Sequence, residues 1–147
     1  GLIQRVSSAS VSVDQQIQGQ IDQGILLLLG VQKEDSQETA DKLLQKVLNY
    51  RIFSDDEGKM NLSLGDIGGG LLVISQFTLA ADTKRGNRPG FSQAAQPDQG
   101  AVLYQHFAAS LKDLNIPVSL GRFGADMQVS LVNDGPVTII IDTKNKN

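Results

Sequence analysis

Gly24 opens the run Ile25-Leu26-Leu27-Leu28-Leu29-Gly30-Val31, which has no polar residue to mark a wet face. A strand with one face in water alternates; a short continuous apolar run reads as a strand buried on both faces. Upstream, Leu2 to Val13 alternates in places and is rich in Val, Ile and Ser. It reads as a strand, with Asp14-Gln15-Gln16 as a turn and Ile17 to Ile21 as its return. Downstream, Asp35 and Glu38 have capping-box spacing, and Ser36 is a competing N-cap. Ala40, Leu43, Leu44, Val47 and Leu48 then fall on one helical face. Lys59 to Leu62 reads as a short strand, Gly65 to Gly70 as a glycine-rich connection, and Gly70 to Ala80 as another strand. Asp82 to Pro97 reads as a long loop, and Asp98 to Asn115 as a helix with Leu103, Phe107, Leu111 and Leu114 on its apolar stripe. Pro117 to Phe123, Met127 to Val132 and Val137 to Asp142 read as three closing strands, before a frayed polar tail from Lys144 to Asn147. The order predicts an α/β fold with a mixed sheet, two helices and hairpins at both ends.

The 147 residues suit one domain, 1–147. The start at Gly1 reads as processed or trimmed, with no signal-peptide pattern. No apolar stretch approaches the roughly 20 residues of a membrane span. Cysteine is absent, which excludes disulfides, thiolate nucleophiles and Cys-ligated zinc, and fits a cytoplasmic protein. The one histidine, His106, excludes a multi-histidine metal site within a chain, and no residue pattern requires a cofactor. A net charge of −3 argues against coating DNA or RNA duplexes, but local cations can still touch an RNA end.

Two motifs break the apolar pattern. Ser75-Gln76-Phe77-Thr78-Leu79 follows Leu71-Leu72-Val73-Ile74, and Asn133-Asp134-Gly135-Pro136-Val137-Thr138 lies between Val129-Ser130-Leu131-Val132 and Ile139-Ile140-Ile141. An unpaired buried polar group costs roughly 1–3 kcal/mol, and proline removes a ladder donor. Two such exceptions in one small chain point to a shared site. Other candidates are weaker. Gly65 to Gly70 precedes a strand and lacks the Gly-Lys-Ser/Thr ending of a phosphate loop. His106, inside a helix pattern, reads as a solvent-edge residue. Asp55-Asp56-Glu57 lacks calcium-loop spacing. Lys84, Arg85 and Arg88 are either a solvated loop or phosphate contacts; Gly86, Asn87 and Gly90 let the backbone approach a ligand.

Taken together, the motifs resemble D-aminoacyl-tRNA deacylase of the bacterial and eukaryotic, D-tyrosyl-tRNA deacylase type. The resemblance runs through Leu2-Ile3-Gln4-Arg5-Val6, Asn49-Tyr50-Arg51-Ile52-Phe53, Gly58-Lys59-Met60-Asn61, both motifs above, and Gly121-Arg122-Phe123-Gly124-Ala125-Asp126-Met127. It implies a three-layer α/β/β domain and a homodimeric hydrolase. Its substrate would be tRNA charged with a D-amino acid, or with glycine, cleaved at the ester to the 3′-terminal adenosine. Gly135 and Pro136, joined by a cis peptide in that family, would reach into the other subunit's pocket and leave no room for an L side chain. Arg5 would brace them, and Met127 would belong to the same selection site. Lys84, Arg85 and Arg88 would hold the tRNA.

The residues themselves agree with a site poor in acid–base groups. Ester hydrolysis needs a positioned attacker and donors for the oxyanion. Backbone N–H groups around Phe77 and Thr78, with Ser75 or Gln76 side chains, can supply the donors. Two attackers stay open: the Thr78 hydroxyl or, as the resemblance implies, water activated by the substrate's ribose 2′-hydroxyl. A dimeric RNA-end binding module without catalysis is the alternative from another class, and a Thr-nucleophile esterase on small esters is a third.

Overall fold

The computed structural model of the protein describes residues 1–144, among which lie eight strands and three helices. β1 (Leu2–Val13) passes through Asp14 and Gln15, at φ 50° and 66°, into β2 (Gln16–Ile21). Two successive residues of that conformation make the tight hairpin turn that matches strand twist. β3 (Gly24–Leu29) and α1 (Gln37–Asn49) follow, then a ribbon of β4 (Phe53–Ser54) and β5 (Met60–Leu62), and the one-turn helix α2 (Leu64–Ile67). β6 (Gly70–Ser75) ends in a 3-10 turn (Phe77–Ala80); α3 (Pro97–Ser110), β7 (Val118–Leu120) and β8 (Gln128–Ile140) complete the chain.

The main sheet runs β2-β1-β3-β6-β7, with β8 along the other edge of β1. β3, β6 and β7 are parallel, while β1 is antiparallel to β2, β3 and β8, so the sheet is mixed as expected. β3 and β6 are buried on both faces. Ile25, Leu27, Leu71 and Val73 pack against Leu43 and Val47 of α1 and Phe107 of α3. Leu26, Leu72 and Ile74 pack the other way, against Val6, Ala9, Val11 and Ile21. Each such side chain contributes about 1.5–3 kcal/mol on burial. Helices thus cover one face, and the second half of β1, with β2 and the start of β8, covers the other. The three layers are α/β/β.

A bulge lets β1 serve two layers. Val6 pairs with Asn133 and Ser8 with Val132, which leaves Ser7 as an extra residue. The extra residue shifts side-chain parity. Ile3 therefore points to the helices, while Val6, Ala9 and Val11 all point to the second cluster.

Several boundaries differ from those read in the sequence. Ser36 is the N-cap of α1 and exchanges bonds with Thr39, not Glu38: its Oγ accepts the Thr39 N–H at 3.4 Å, and Thr39 Oγ1 accepts the Ser36 N–H at 2.9 Å. Asp35 lies one residue outside and accepts the Gln32 N–H at 2.7 Å. Residues 64–67 form a third helix because Ser63 and Asp66 make a capping box and Gly68, at φ 63°, ends it. β6 stops at Ser75 and does not reach Ala80. Its partner β3 ends at Leu29, whose carbonyl takes the Gln76 N–H at 2.8 Å, and the chain then curls. α3 ends at Ser110, and Lys112 and Leu114 continue in tighter bonds to Ala109 and Leu111. The two expected strands Met127 to Val132 and Val137 to Asp142 fall, but for Met127, Ile141 and Asp142, in one strand, β8, that pairs with β1, so there is no C-terminal hairpin between them. The expected frayed tail falls at residues 145–147, outside the described residues; Lys144 bonds Glu34 at 3.2 Å.

The parallel pairing of β3 and β6 depends on Gly24. A Cβ there would lie 1.9 Å from the Gly70 carbonyl oxygen, a backbone atom held in the sheet. Gly24→Ala is expected to cost about 3 kcal/mol or more as an overpacked contact. A urea melt checks this, and an unchanged midpoint would mean that the two strands can part freely.

Candidate active site

The end of β6 sets the site. Ser75 pairs with Leu29, and Gln76 then leaves the sheet at φ −147°, ψ 81°. Gly30 permits the turn to close against β3, since a Cβ there would sit 3.1 Å from both the Gln76 oxygen and Leu79 Cβ. In a 3-10 turn the first N–H groups have no partner within the turn. No side chain caps this one, and among the described residues the Phe77 and Thr78 N–H groups reach no acceptor. Gln76 Nε2 donates to Thr78 Oγ1. Phe77 is 59% exposed, which places this edge of the turn in solvent.

Ser75, Gln76, Phe77 and Met127 line one cavity of about 600 Å3. Phe91, Tyr104 and Phe123 form its aromatic walls. Phe77 and Phe91 meet edge to face at 5.0 Å, and Tyr104 and Phe123 at 5.7 Å. The Tyr104 hydroxyl lies 3.4 Å from the Val73 carbonyl and 3.3 Å from that of Gly121, which ties the cavity floor to β6 and to the residue just after β7. Burial pushes its pKa up, so it stays a neutral donor. Met127 sulfur accepts the Arg122 N–H at 3.4 Å and so shapes the opposite rim. Volumes of 300–1,000 Å3 with apolar walls and few polar groups are typical of small-ligand sites.

Thr78, Arg5, Gly135 and Pro136 do not line this cavity. Gly135 and Pro136 are exposed on β8, joined by a cis peptide. There the β1–β8 ladder jumps: Gln4 pairs with Thr138 and Val6 with Asn133, so residues 134–137 stand opposite Arg5 alone. Arg5, only 12% exposed, supports this outward loop. Its Nε donates to the Asp134 carbonyl at 3.1 Å and its Nη1 to the Ile52 carbonyl at 2.7 Å. Its Nε also lies 3.5 Å from the Asp134 carboxylate.

Lys84, Arg85 and Arg88 line a separate shallow hollow with Asp82 and Gly90. The loop is closed at its base by Asp82 and Gly90, which exchange backbone bonds of 2.7 and 3.0 Å. Phe91 follows directly, so the cationic loop springs from the cavity wall. His106 lies elsewhere, bonded to Asp41 at 2.8 Å across α1 and α3. Phe91 and Tyr104 escaped the sequence reading because an aromatic in a loop or helix carries no periodic signal of a cavity. Among the described residues no cluster of His, Cys, Asp and Glu could hold a metal ion.

A family model described as D-Tyr-tRNA(Tyr) deacylase matches residues 2–142. A D-aminoacyl-tRNA deacylase of Pseudoalteromonas translucida (strain TAC 125) is 63% identical over 94% of this chain and 95% of its own. One of Pseudomonas fluorescens (strain SBW25) is 62% identical over 97% and 99%. A solved structure described as c-Myc DNA Unwinding Element Binding Protein superposes with a TM-score of 0.88 at 40% identity, covering 94% of each chain. Another, described as a probable eukaryotic D-amino acid tRNA deacylase, has a TM-score of 0.78 at 17% identity over 94% and 95%, a likeness of fold alone. Near-complete coverage in both directions leaves no large part of the relatives unmatched, and this chain belongs to the D-Tyr-tRNA(Tyr) deacylase family.

Proposed function

We propose that the aromatic-walled cavity of this D-aminoacyl-tRNA deacylase takes the 3′-terminal adenosine with its aminoacyl ester. The observation that carries the reading is the pair of N–H groups, of Phe77 and Thr78, without an acceptor among the described residues, at the start of a turn whose first residue, Phe77, lines the cavity. As water attacks the ester carbonyl, negative charge develops on its oxygen, and two fixed donors there lower the barrier. The bond to the ribose 3′-oxygen then breaks, and that oxygen takes a proton. A base must deprotonate the water. Thr78 is engaged by Gln76 and His106 by Asp41, which favours the ribose 2′-hydroxyl in that role.

Chirality is assigned to Gly135 and Pro136 acting from a second copy, because they stand outside their own chain's cavity. The outer edge of β8 supports this. Among the described residues it is an unpaired strand edge with Val132 57% and Ile140 78% exposed, a surface that a twofold partner would cover. Arg5 braces the loop, and Met127 forms the facing wall. The Gly135 and Pro136 carbonyls would exclude an L side chain, while glycine, with none, would be hydrolysed as glycyl-tRNA. Lys84, Arg85 and Arg88 would meet the acceptor-end phosphates, beside a cavity whose wall is Phe91. Residues 1–147 act as one deacylase domain, in the cytoplasm where charged tRNA is used; no helix among the described residues is long and apolar enough to cross a membrane.

Light scattering at micromolar concentration should give about twice 15.8 kDa; the mass of one chain would count against the shared site. Pro136→Ala should loosen the loop and raise hydrolysis of L-aminoacyl-tRNA relative to D, or abolish activity. An unchanged D/L ratio with full activity would sink the steric filter.

Thr78→Ala should keep much of the wild-type rate, whereas tRNA ending in 2′-deoxyadenosine should be nearly inert. A dead Thr78→Ala together with rapid turnover of the deoxy substrate would assign the attack to Thr78 instead. Replacing Lys84, Arg85 and Arg88 together with Ala should raise KM for charged tRNA and flatten its salt dependence, because phosphate contacts release counterions. If KM and salt slope stay put, the loop is only a solvated surface.

A further inference from the structure

Residues 134–137 leave the β1–β8 ladder as a loop opposite one residue, so the backbone groups there lose their strand partners. Asn133 closes the neck of that loop. Its Oδ1 accepts the Val137 N–H at 2.9 Å, and its Nδ2 donates to Thr138 Oγ1 at 2.9 Å. Gln4 Nε2, from the neighbouring strand, donates to the same Thr138 oxygen at 3.2 Å. One amide therefore ties the residue before the loop to both residues that end it. Thr138, accepting two bonds, fixes that amide to β1. Arg5 holds the loop from beneath, but its hydrogen bond is to Asp134, on the entering side. The exit side depends on Asn133 and Thr138.

We propose that Asn133 and Thr138 are positioning residues that set the projection of Gly135 and Pro136, and with it the D-over-L selectivity of hydrolysis. This rests on the reading that those two residues exclude L side chains. A filter that works by clash with backbone atoms loses its effect when those atoms move by about 1 Å. Removing the Asn133 amide leaves the Val137 N–H without its acceptor and frees the exit side of the loop. The rest of β8 keeps its pairing, from Ser12↔Gln128 to Val6↔Asn133 and from Gln4↔Thr138 to Leu2↔Ile140. The fold should survive while selectivity falls.

The test compares kcat/KM for D- and L-tyrosyl-tRNA in wild type, Asn133→Ala, Asn133→Asp, Thr138→Val, Thr138→Ser and Pro136→Ala, with Tm measured for each. Asn133→Ala should lower the D/L ratio about tenfold and Thr138→Val about threefold. Asn133→Asp should stay near wild type, since its carboxylate accepts the Val137 N–H and the Thr138 hydroxyl can turn its proton toward it. Thr138→Ser should likewise keep the ratio. A wild-type ratio in Asn133→Ala, with the ratio lost in Pro136→Ala, overturns the positioning role and leaves the steric filter intact. A wild-type ratio in active Pro136→Ala overturns both. If Asn133→Ala does not fold, Thr138→Val decides: an unchanged ratio there overturns the proposal. A fall in Tm shared by the Ala and Asp variants, with equal loss of selectivity, also overturns it, because the Asp variant preserves the acceptor.

Discussion

β1 forms ladders along both of its edges: β8 along one, and β3 followed by β2 along the other. The other layers take their places from that arrangement. The first half of the strand delivers β3, and through it β6 and β7, to the underside of the helices. The second half carries β2 and β8 over the opposite face. The Ser7 bulge is what lets one strand do both, since it turns Val6, Ala9 and Val11 toward one cluster while Ile3 serves the other. The two ends of the curled sheet then approach: Ser119 of β7 donates to the Gln20 carbonyl of β2 at 3.1 Å. Gly19 permits this, for a Cβ there would lie 2.9 Å from Ser119 Cβ. Both irregularities of the β1–β8 ladder, Ser7 and the loop opposite Arg5, therefore sit next to each other at the point where β1 passes between layers.

The turn after β6 follows from the same geometry by a different route. β6 and β3 pair along their full lengths and end together at Ser75 and Leu29, where the polar residues begin. Ser75 and Gln76 thus need no buried partners; the chain simply stops being a strand. The resulting 3-10 turn leaves the Phe77 and Thr78 N–H groups without an acceptor among the described residues, and Phe77 lines the cavity. Donors that no protein group occupies are what the proposed oxyanion role requires. Such a site needs orientation more than acid–base strength. That fits a chain with one histidine, bonded to Asp41 away from the cavity.

The layered core was legible because burial on two faces writes itself as a continuous apolar run, and Ile25 to Leu29 is one. The α1 face was legible for the same reason at helical spacing. Capping was less so: Ser36 and Asp35 both offer an N-cap oxygen, and only the position of Thr39 decides between them. β8 was misread as two strands because Gly-Pro ordinarily ends a strand, yet here the chain loops out and rejoins the same ladder in register with Gln4. The motifs at Ser75 to Thr78 and Gly135-Pro136 stood out as local contradictions between residue type and apolar context. Their separation within one chain could not be read, because distance across a sheet depends on pairing, not on spacing in sequence. Phe91 and Tyr104 were invisible for a related reason: their role as walls arises from where a loop and a helix happen to meet.

The loop at Gly135 also shows why Arg5 fits its position better than any other cation. Gly135 has φ 130°, a conformation that residues with a side chain rarely adopt, and a Cβ would lie 2.7 Å from Arg5 Nη2. Glycine is thus required twice, once by backbone angle and once by the guanidinium packed against it. Arg5 in turn divides its donors: Nε to the Asp134 carbonyl, Nη1 to the Ile52 carbonyl. A lysine ammonium is a point charge on a flexible stem and lacks the planar fork that meets two carbonyls in fixed directions. The fork couples β8 to the segment leading into β4, so the loop is held against two separate parts of the fold. The proposed selectivity by exclusion needs a surface that does not yield. A backbone loop becomes such a surface only when a rigid side chain fills the space behind it, and here the absent Cβ of Gly135 is the space that Arg5 fills.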